Sequence, residues 1–235
     1  MKYRTRKFTF GGLLLILTLM IYYKAMPLET TWLGKDGHLY NLSLGLITGL
    51  VVLLFQFTVD NLRDKELEKL QETKIIGVLE SRDKEDYYMR LIRDAKKEII
   101  VFGVTASRFL IDFADVPHTN SDKKVLLNAL QRGVTVKFLL ADRTYLIDST
   151  DKTKHDEAKT RIEKLKENLT NKDLLQVKYY KHPPTLSMVI TDEHYLIGPV
   201  FDEKESRHTV TIHAKFGGAF ARDYLDNFEK EWAKA

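Results

Sequence analysis

From Leu39 to Val59 the chain runs without one charged side chain, through Leu-Ile-Thr-Gly-Leu-Val-Val-Leu-Leu-Phe. Each helical residue rises about 1.5 Å, so about 20 apolar residues cross a hydrocarbon core of about 30 Å. The run meets that requirement and predicts a membrane-spanning helix. A second uncharged stretch, Phe8 to Tyr23, centres on Gly-Gly-Leu-Leu-Leu-Ile-Leu-Thr-Leu-Met. It is short for a span, and it would recruit Tyr22, Tyr23 and the snorkelling stems of Lys7 and Lys24 to reach the interfaces. A cleaved signal peptide is the competing reading, because Lys2, Arg4, Arg6 and Lys7 form a basic leader. Against it, no small-x-small cleavage pattern follows, and another hydrophobic segment comes soon after.

The four basic residues before the first segment, against Lys24 and Lys35 between the two, place the N-terminus inside by the positive-inside rule. The short loop with Trp32 and Tyr40 then lies outside, and the large C-terminal part is cytoplasmic. Gly45 and Gly49 make a Gly-x-x-x-Gly spacing that lets helix backbones approach closely, although such pairs are often incidental in apolar helices.

Charge narrows the partners. Residues 1–60 hold six Lys or Arg against three Asp or Glu; totals of 37 and 33 leave 31 against 30 for the rest. A near-neutral C-terminal part gives no electrostatic reason to expect nucleic acid. The chain has no Cys, which removes disulfides and thiolate metal sites and suits a reducing cytosol.

After the second span, Asp60 to about Lys74 is rich in Glu, Lys and Leu and is expected to continue the helix, with Gly77 as a break. Tyr88, Leu91, Ile92 and Ala95 then fall on one face of a second helix. The pattern next alternates. Glu98-Ile-Ile-Val-Phe-Gly-Val reads as a buried strand. Ser121 caps a helix carrying Val125, Leu126, Ala129 and Leu130, ending at Gly133. Val134, Val136, Phe138 and Leu140 alternate inward along a strand. A charged helix covers about Lys154 to Leu169, burying Ala158, Ile162 and Leu165. Strands follow near 175–181, 186–191, 195–200 and 209–215. In the last helix Phe220, Tyr224, Phe228 and Trp232 stand four residues apart, as a core stripe would. This order predicts an α/β or α+β sandwich around a mixed sheet.

Several phrases in this order resemble the phospholipase D-like superfamily across roughly residues 85–233. They are Glu-Ile-Ile-Val-Phe-Gly, Leu-Leu-Asn-Ala-Leu-Gln-Arg-Gly-Val-Thr-Val-Lys-Phe-Leu-Leu-Ala-Asp, Gln-Val-Lys-Tyr-Tyr, Met-Val-Ile-Thr-Asp-Glu-His-Tyr-Leu-Ile-Gly, and a terminal Phe-Glu-Lys-Glu-Trp. The resemblance implies a mixed-sheet domain behind two transmembrane helices: a transmembrane region over 1–60, a helical linker over 61–97 and a cytosolic domain over 98–235. The family's His-x-Lys-x-x-x-x-Asp supplies a nucleophile, a phosphate-neutralising cation and an Asp that orients a His. Here the matching segment is Thr185-Leu-Ser187-Met-Val-Ile-Thr-Asp192, and only the Asp survives. Gly-Ser-x-Asn becomes Gly198-Pro199-Val200-Phe201. A hydroxyl cannot replace imidazole at neutral pH without a base to activate it, so no catalytic residue is assigned.

The remaining candidates are ligand-binding ones. His213-Ala-Lys215 carries half the motif, with a strand-end His as the plain alternative. His182 could point into the pocket of Thr185. Thr105, Ser107 and Arg108 follow the first strand, where a hydroxyl-plus-Arg cluster suits an anion; equally, Thr105 or Ser107 caps the next helix and Arg108 faces water. His118, His155 and His208 read as loop or surface residues, and His194 as an exposed turn residue. No metal-ligand spacing appears, and no cofactor is implied.

The expected function is that of a non-catalytic, membrane-anchored sensor or effector, in the bacterial inner membrane with both termini cytoplasmic. It binds a phosphate-bearing small molecule, a cyclic nucleotide being one candidate, or a partner chain, and it forms a homo-oligomer as single-motif members of the family do. The plan resembles two-helix membrane effectors of bacterial antiphage nucleotide signalling. A divergent membrane-tethered phosphodiesterase and a structural membrane adaptor are the alternatives.

Overall fold

The structure is a computed structural model that describes residues 12, 14–20, 38–82, 84–201, 205 and 208–235. It divides into two compact units, 1–69 and 70–235. In the first, Gly12 and Leu14 to Met20 are helical. The rest of the Phe8–Tyr23 segment and the loop with Trp32 lie outside the described residues. Helix α1, His38–Thr73, is continuous, as expected for a span that runs on past its apolar part. Val51, Val52, Leu53 and Phe55 on it are all exposed. Among the described residues this is the one helix long and apolar enough to cross a membrane.

The second unit is a mixed α/β fold on a seven-stranded sheet of order β1-β7-β6-β5-β2-β3-β4. Strand β2 (Glu98–Gly103), β3 (Thr135–Ala141) and β4 (Leu175–Tyr180) are parallel. Strand β5 (Leu186–Thr191) pairs antiparallel with β2, β6 (His194–Pro199) with β5, β7 (Thr211–Lys215) with β6, and β1 (Ile75–Leu79) with β7. The carboxyl ends of β1, β2, β3, β4 and β6 and the amino ends of β5 and β7 therefore share one edge of the sheet.

Alternation along the strands splits the core into two layers. Ile99, Val101, Val136, Phe138, Leu140, Val189 and Leu196 pack against helices α2 (Glu85–Asp94), α3 (Ser107–Phe113), α4 (Val125–Gln131) and α5 (Ser149–Glu167). Ile100, Phe102, Leu139, Met188, Ile190 and Ile197 pack against α6 (Ala219–Lys234). Its aromatic stripe is core, with Phe228 buried and Phe220, Tyr224 and Trp232 packed beside it. Tyr88 and Ile92 are buried on α2, and so is Ala95 just past its end.

Three local expectations are corrected. Residues 75–79 form a strand at the sheet's edge, not a break between helices in a wholly helical linker. Ile75, Ile76 and Val78 are β-branched, and β7 offers a free ladder that outweighs Gly77 as a breaker. Asn120, not Ser121, caps the 3-10 turn Ser121–Lys124, accepting a hydrogen bond from Asp122 N. His155 is buried on α5 rather than at the surface, against Tyr179, with no hydrogen-bond partner for either ring nitrogen.

Candidate functional site

The registers place Gly103, Ser187, Gly198 and Thr211 in one lateral row across β2, β5, β6 and β7. Directly opposed residues of antiparallel strands share a face, and this row lies on the α2–α5 side. The four small residues form a notch near the edge where the parallel strands end, the end at which α/β sheets take ligands. A Cβ on Gly103 would meet Ser187 Oγ at 3.4 Å.

Arg82, from the turn between β1 and α2, lies on that notch. Its Nε donates to Thr211 Oγ1 at 3.1 Å and its Nη2 to the Pro199 carbonyl at 3.0 Å. A Cβ on Gly198 would meet Nη2 at 2.5 Å, so the glycine is what lets the guanidinium approach β6 this closely. Burial pulls the Arg82 pKa below the ordinary arginine value, partly opposed by Tyr88. The group still carries its charge. Thr211 Oγ1 and the Pro199 carbonyl are both neutral acceptors, and a partly buried cation held by neutral oxygens favours an anion beside it.

Thr185 and Ser187 stand at the amino end of β5 on this same edge. Thr185 is exposed and Ser187 partly so. Thr105 and Ser107 are buried at the end of β2. Thr105 Oγ1 accepts from the Ser107 amide at 3.4 Å, and neither residue is the helix cap, which is Ala106 at a φ of 55°. Arg108 is largely exposed and is committed to Asp112, its Nε 2.7 Å from Oδ2. Burial raises the Asp112 pKa, against the pull of Arg108 and Lys123.

His182 belongs elsewhere on the edge. Its Nε2 is 3.2 Å from Glu231 Oε2, its Nδ1 2.9 Å from the Pro183 carbonyl, and its ring packs on Tyr180 of the α6 layer. Asp192 is at the opposite edge altogether, and His213 stands midway along β7, opposite Leu196 and two residues from Thr211. Asp192 closes the β5–β6 turn at a φ of 47° and accepts from the amides of Lys96, Lys97 and Glu98 at 2.7–3.0 Å. Burial alone would raise its pKa, and these three amides bring it below the usual carboxylate value. Its job is to hold the start of β2 rather than to orient a histidine.

His213 is buried, its Nδ1 on the Tyr87 hydroxyl and its Nε2 2.8 Å from His194 Nδ1. Burial, then His194, then Lys215 lower its pKa to about 4. His194 is thus half-buried and paired rather than a free turn residue. So the eight sequence candidates separate: Thr105, Ser107, Thr185 and Ser187 converge on one edge, and Arg108, His182, Asp192 and His213 have partners of their own. Arg82, Gly103 and Thr211 complete the notch and were not singled out by sequence. Arg82 follows an apolar β-branched run by three residues, and that strand-end position is the signal that would have found it.

No protein-family model and no curated protein matches the chain. Similar solved structures include TrmBL2, an archaeal chromatin protein described with a novel mode of DNA binding, at 16% identity over 82% of this chain and 69% of that one, with a TM-score of 0.44. They also include Nuc from Salmonella typhimurium, a phospholipase D family member, at 14% identity over 67% and 91% with a TM-score of 0.40. A third is phosphatidylserine synthase of Haemophilus influenzae Rd KW20, at 9% identity over 66% and 37% with a TM-score of 0.42.

Proposed function

We propose that this chain is a membrane-anchored, non-catalytic domain of phospholipase D-like plan that binds a phosphate-bearing ligand in the Gly103–Ser187–Gly198–Thr211 notch. Arg82 is the cation of the site. The observation that carries the reading is its partly buried guanidinium, lying against Gly198 and held by Thr211 and Pro199 at the edge where the family's motif would stand. The hydroxyls of Ser187 and Thr185 can donate to phosphate oxygens but lack a base to make them nucleophiles. His182 and His213, which a hydrolytic mechanism would need, are engaged by Glu231 and His194.

In this reading the apolar segments make two passes through a bacterial inner membrane, and ligand binding alters an oligomer there. Strand β7 connects the two ends of the domain. It carries Thr211 at the notch, and just past its other end the Phe216 carbonyl accepts from Lys74 Nζ at 3.1 Å. Lys74 is the residue that follows α1. The resemblance to antiphage effectors makes a cyclic nucleotide the first ligand to test.

Thermal unfolding of the full chain in detergent, against mono-, di- and cyclic nucleotides and pyrophosphate, tests the proposal. Binding to the folded state adds about 2.7 kcal/mol at a hundredfold excess over Kd. A shift with one ligand that is lost in Arg82→Met is expected. No shift with any ligand, or the same shift in Arg82→Met, contradicts it.

A further inference from the structure

Strand β4 is the last strand of the sheet, paired only with β3. At its start the Leu175 amide bonds to the Lys172 carbonyl, and at its end the Tyr180 carbonyl, accepting from Asp142 N, faces β3, so the outward-facing residues between are Val177 and Tyr179. Among the described residues, the outward backbone groups of Val177 and Tyr179 meet no backbone partner. Such a row is a template for an added strand.

Two recesses flank β4 along its whole length. One, of about 500 Å³, is walled by Lys166, Lys172, Lys178 and Trp232. The other, of about 260 Å³, is walled by Lys181, His182 and Lys234. Against these five lysines the recesses hold the side chains of only Asp173 and Glu231. Glu231 is already bonded to Lys234 at 2.8 Å and to His182 at 3.2 Å. The Trp232 ring lies between the strand and α6, with Lys178 Nζ at 5.1 Å and Lys137 Nζ at 5.9 Å from its centroid.

Charge and hydrogen-bonding pattern together select the occupant. Two copies paired through β4 would set lysines against lysines, whereas the opposite edge, β1, exposes Ile75, Ile76 and Val78. Lysines along an edge repel neutral and basic strands; they leave an acidic one favoured. The free edge alternates N–H donors with C=O acceptors. An extended polypeptide answers both, and a phosphodiester backbone offers acceptors alone. We propose that the β4 edge is a docking site for an extended acidic segment of a partner protein, which adds to the sheet beside β4. The site is independent of the Arg82 notch.

The test uses the full chain in detergent and a labelled short peptide alternating Glu and Val. Controls are the Lys–Val counterpart, the Glu–Val peptide N-methylated at alternate residues, and oligothymidylate. The Glu–Val peptide is expected to bind, to slow amide exchange at Val177 and Tyr179, and to lose its affinity on N-methylation. Reversing the exposed Lys172 and Lys181 together to Glu is expected to weaken it by about tenfold, as two surface ion pairs would. Circular dichroism checks that this variant is folded. The proposal is overturned by no binding of the Glu–Val peptide, by equal binding of the Lys–Val peptide, or by undiminished binding after N-methylation. Oligothymidylate binding as tightly as the Glu–Val peptide, or unchanged exchange at β4, also overturns it.

Discussion

The Arg82 guanidinium rests on Gly198 so closely that a methyl group there would meet Nη2, and also the Val210 carbonyl, at 2.5 Å. The carbonyl is backbone and cannot give way, and Arg82 can do so only by breaking its bonds to Thr211 and Pro199. Gly198→Ala is therefore expected to cost about 1–3 kcal/mol, the usual penalty for overpacking. Urea unfolding measures it. The same variant should bind phosphate-bearing ligands poorly, since Arg82 must swing away to admit the methyl.

Arg82→Lys and Arg82→Met separate charge from shape. A lysine keeps the charge but not the planar fork that bonds Thr211 and Pro199 together. Loss of one charge-assisted hydrogen bond costs about 1.5–3 kcal/mol, or roughly ten- to a hundredfold in affinity. Titration calorimetry should place Lys between wild type and Met.

Asp192 is expected to matter for folding and not for binding. Asp192→Ala removes the acceptor of three backbone amides and leaves an alanine at positive φ, costing about 1–3 kcal/mol. Asn tolerates that backbone and should recover part of the loss. Ligand affinity should be unchanged in both.

Much of the fold could be read ahead. Val134, Val136, Phe138 and Leu140 alternate cleanly because their strand has one buried face against helices, and the 220–232 stripe keeps helical period for the same reason. Strand β1 was hidden because most of its side chains are exposed, so it shows no alternation. The site was less legible. Motif matching pointed at Asp192 and the 213–215 pair, yet a motif fixes spacing along the chain, and β5 and β7 each carry residues to opposite edges of the sheet. Arg82 lies over a hundred residues from Gly198 in sequence, and the sheet order alone joins them. His155 was missed because one histidine among charges gives no sign of facing inward.

The Tyr87–His213–His194 chain gives a pH dependence. The His213 pKa falls from 6.5 to about 4 on folding, so the unfolded chain binds the extra proton first. Its contribution to stability is complete above pH 6.5 and is lost as the pH falls from there toward 4. Unfolding free energies measured across that window should decline, and His213→Gln should flatten the decline.

The central claim is a phosphate site that binds through Arg82 and does not turn over. Phosphorus-31 spectra of the full chain, taken over a day with the nucleotide that stabilises it most, test both halves at once. The account predicts a saturable shift in wild type, none in Arg82→Met, and a ligand that stays intact. A growing hydrolysis product, or the same shift without Arg82, would contradict it.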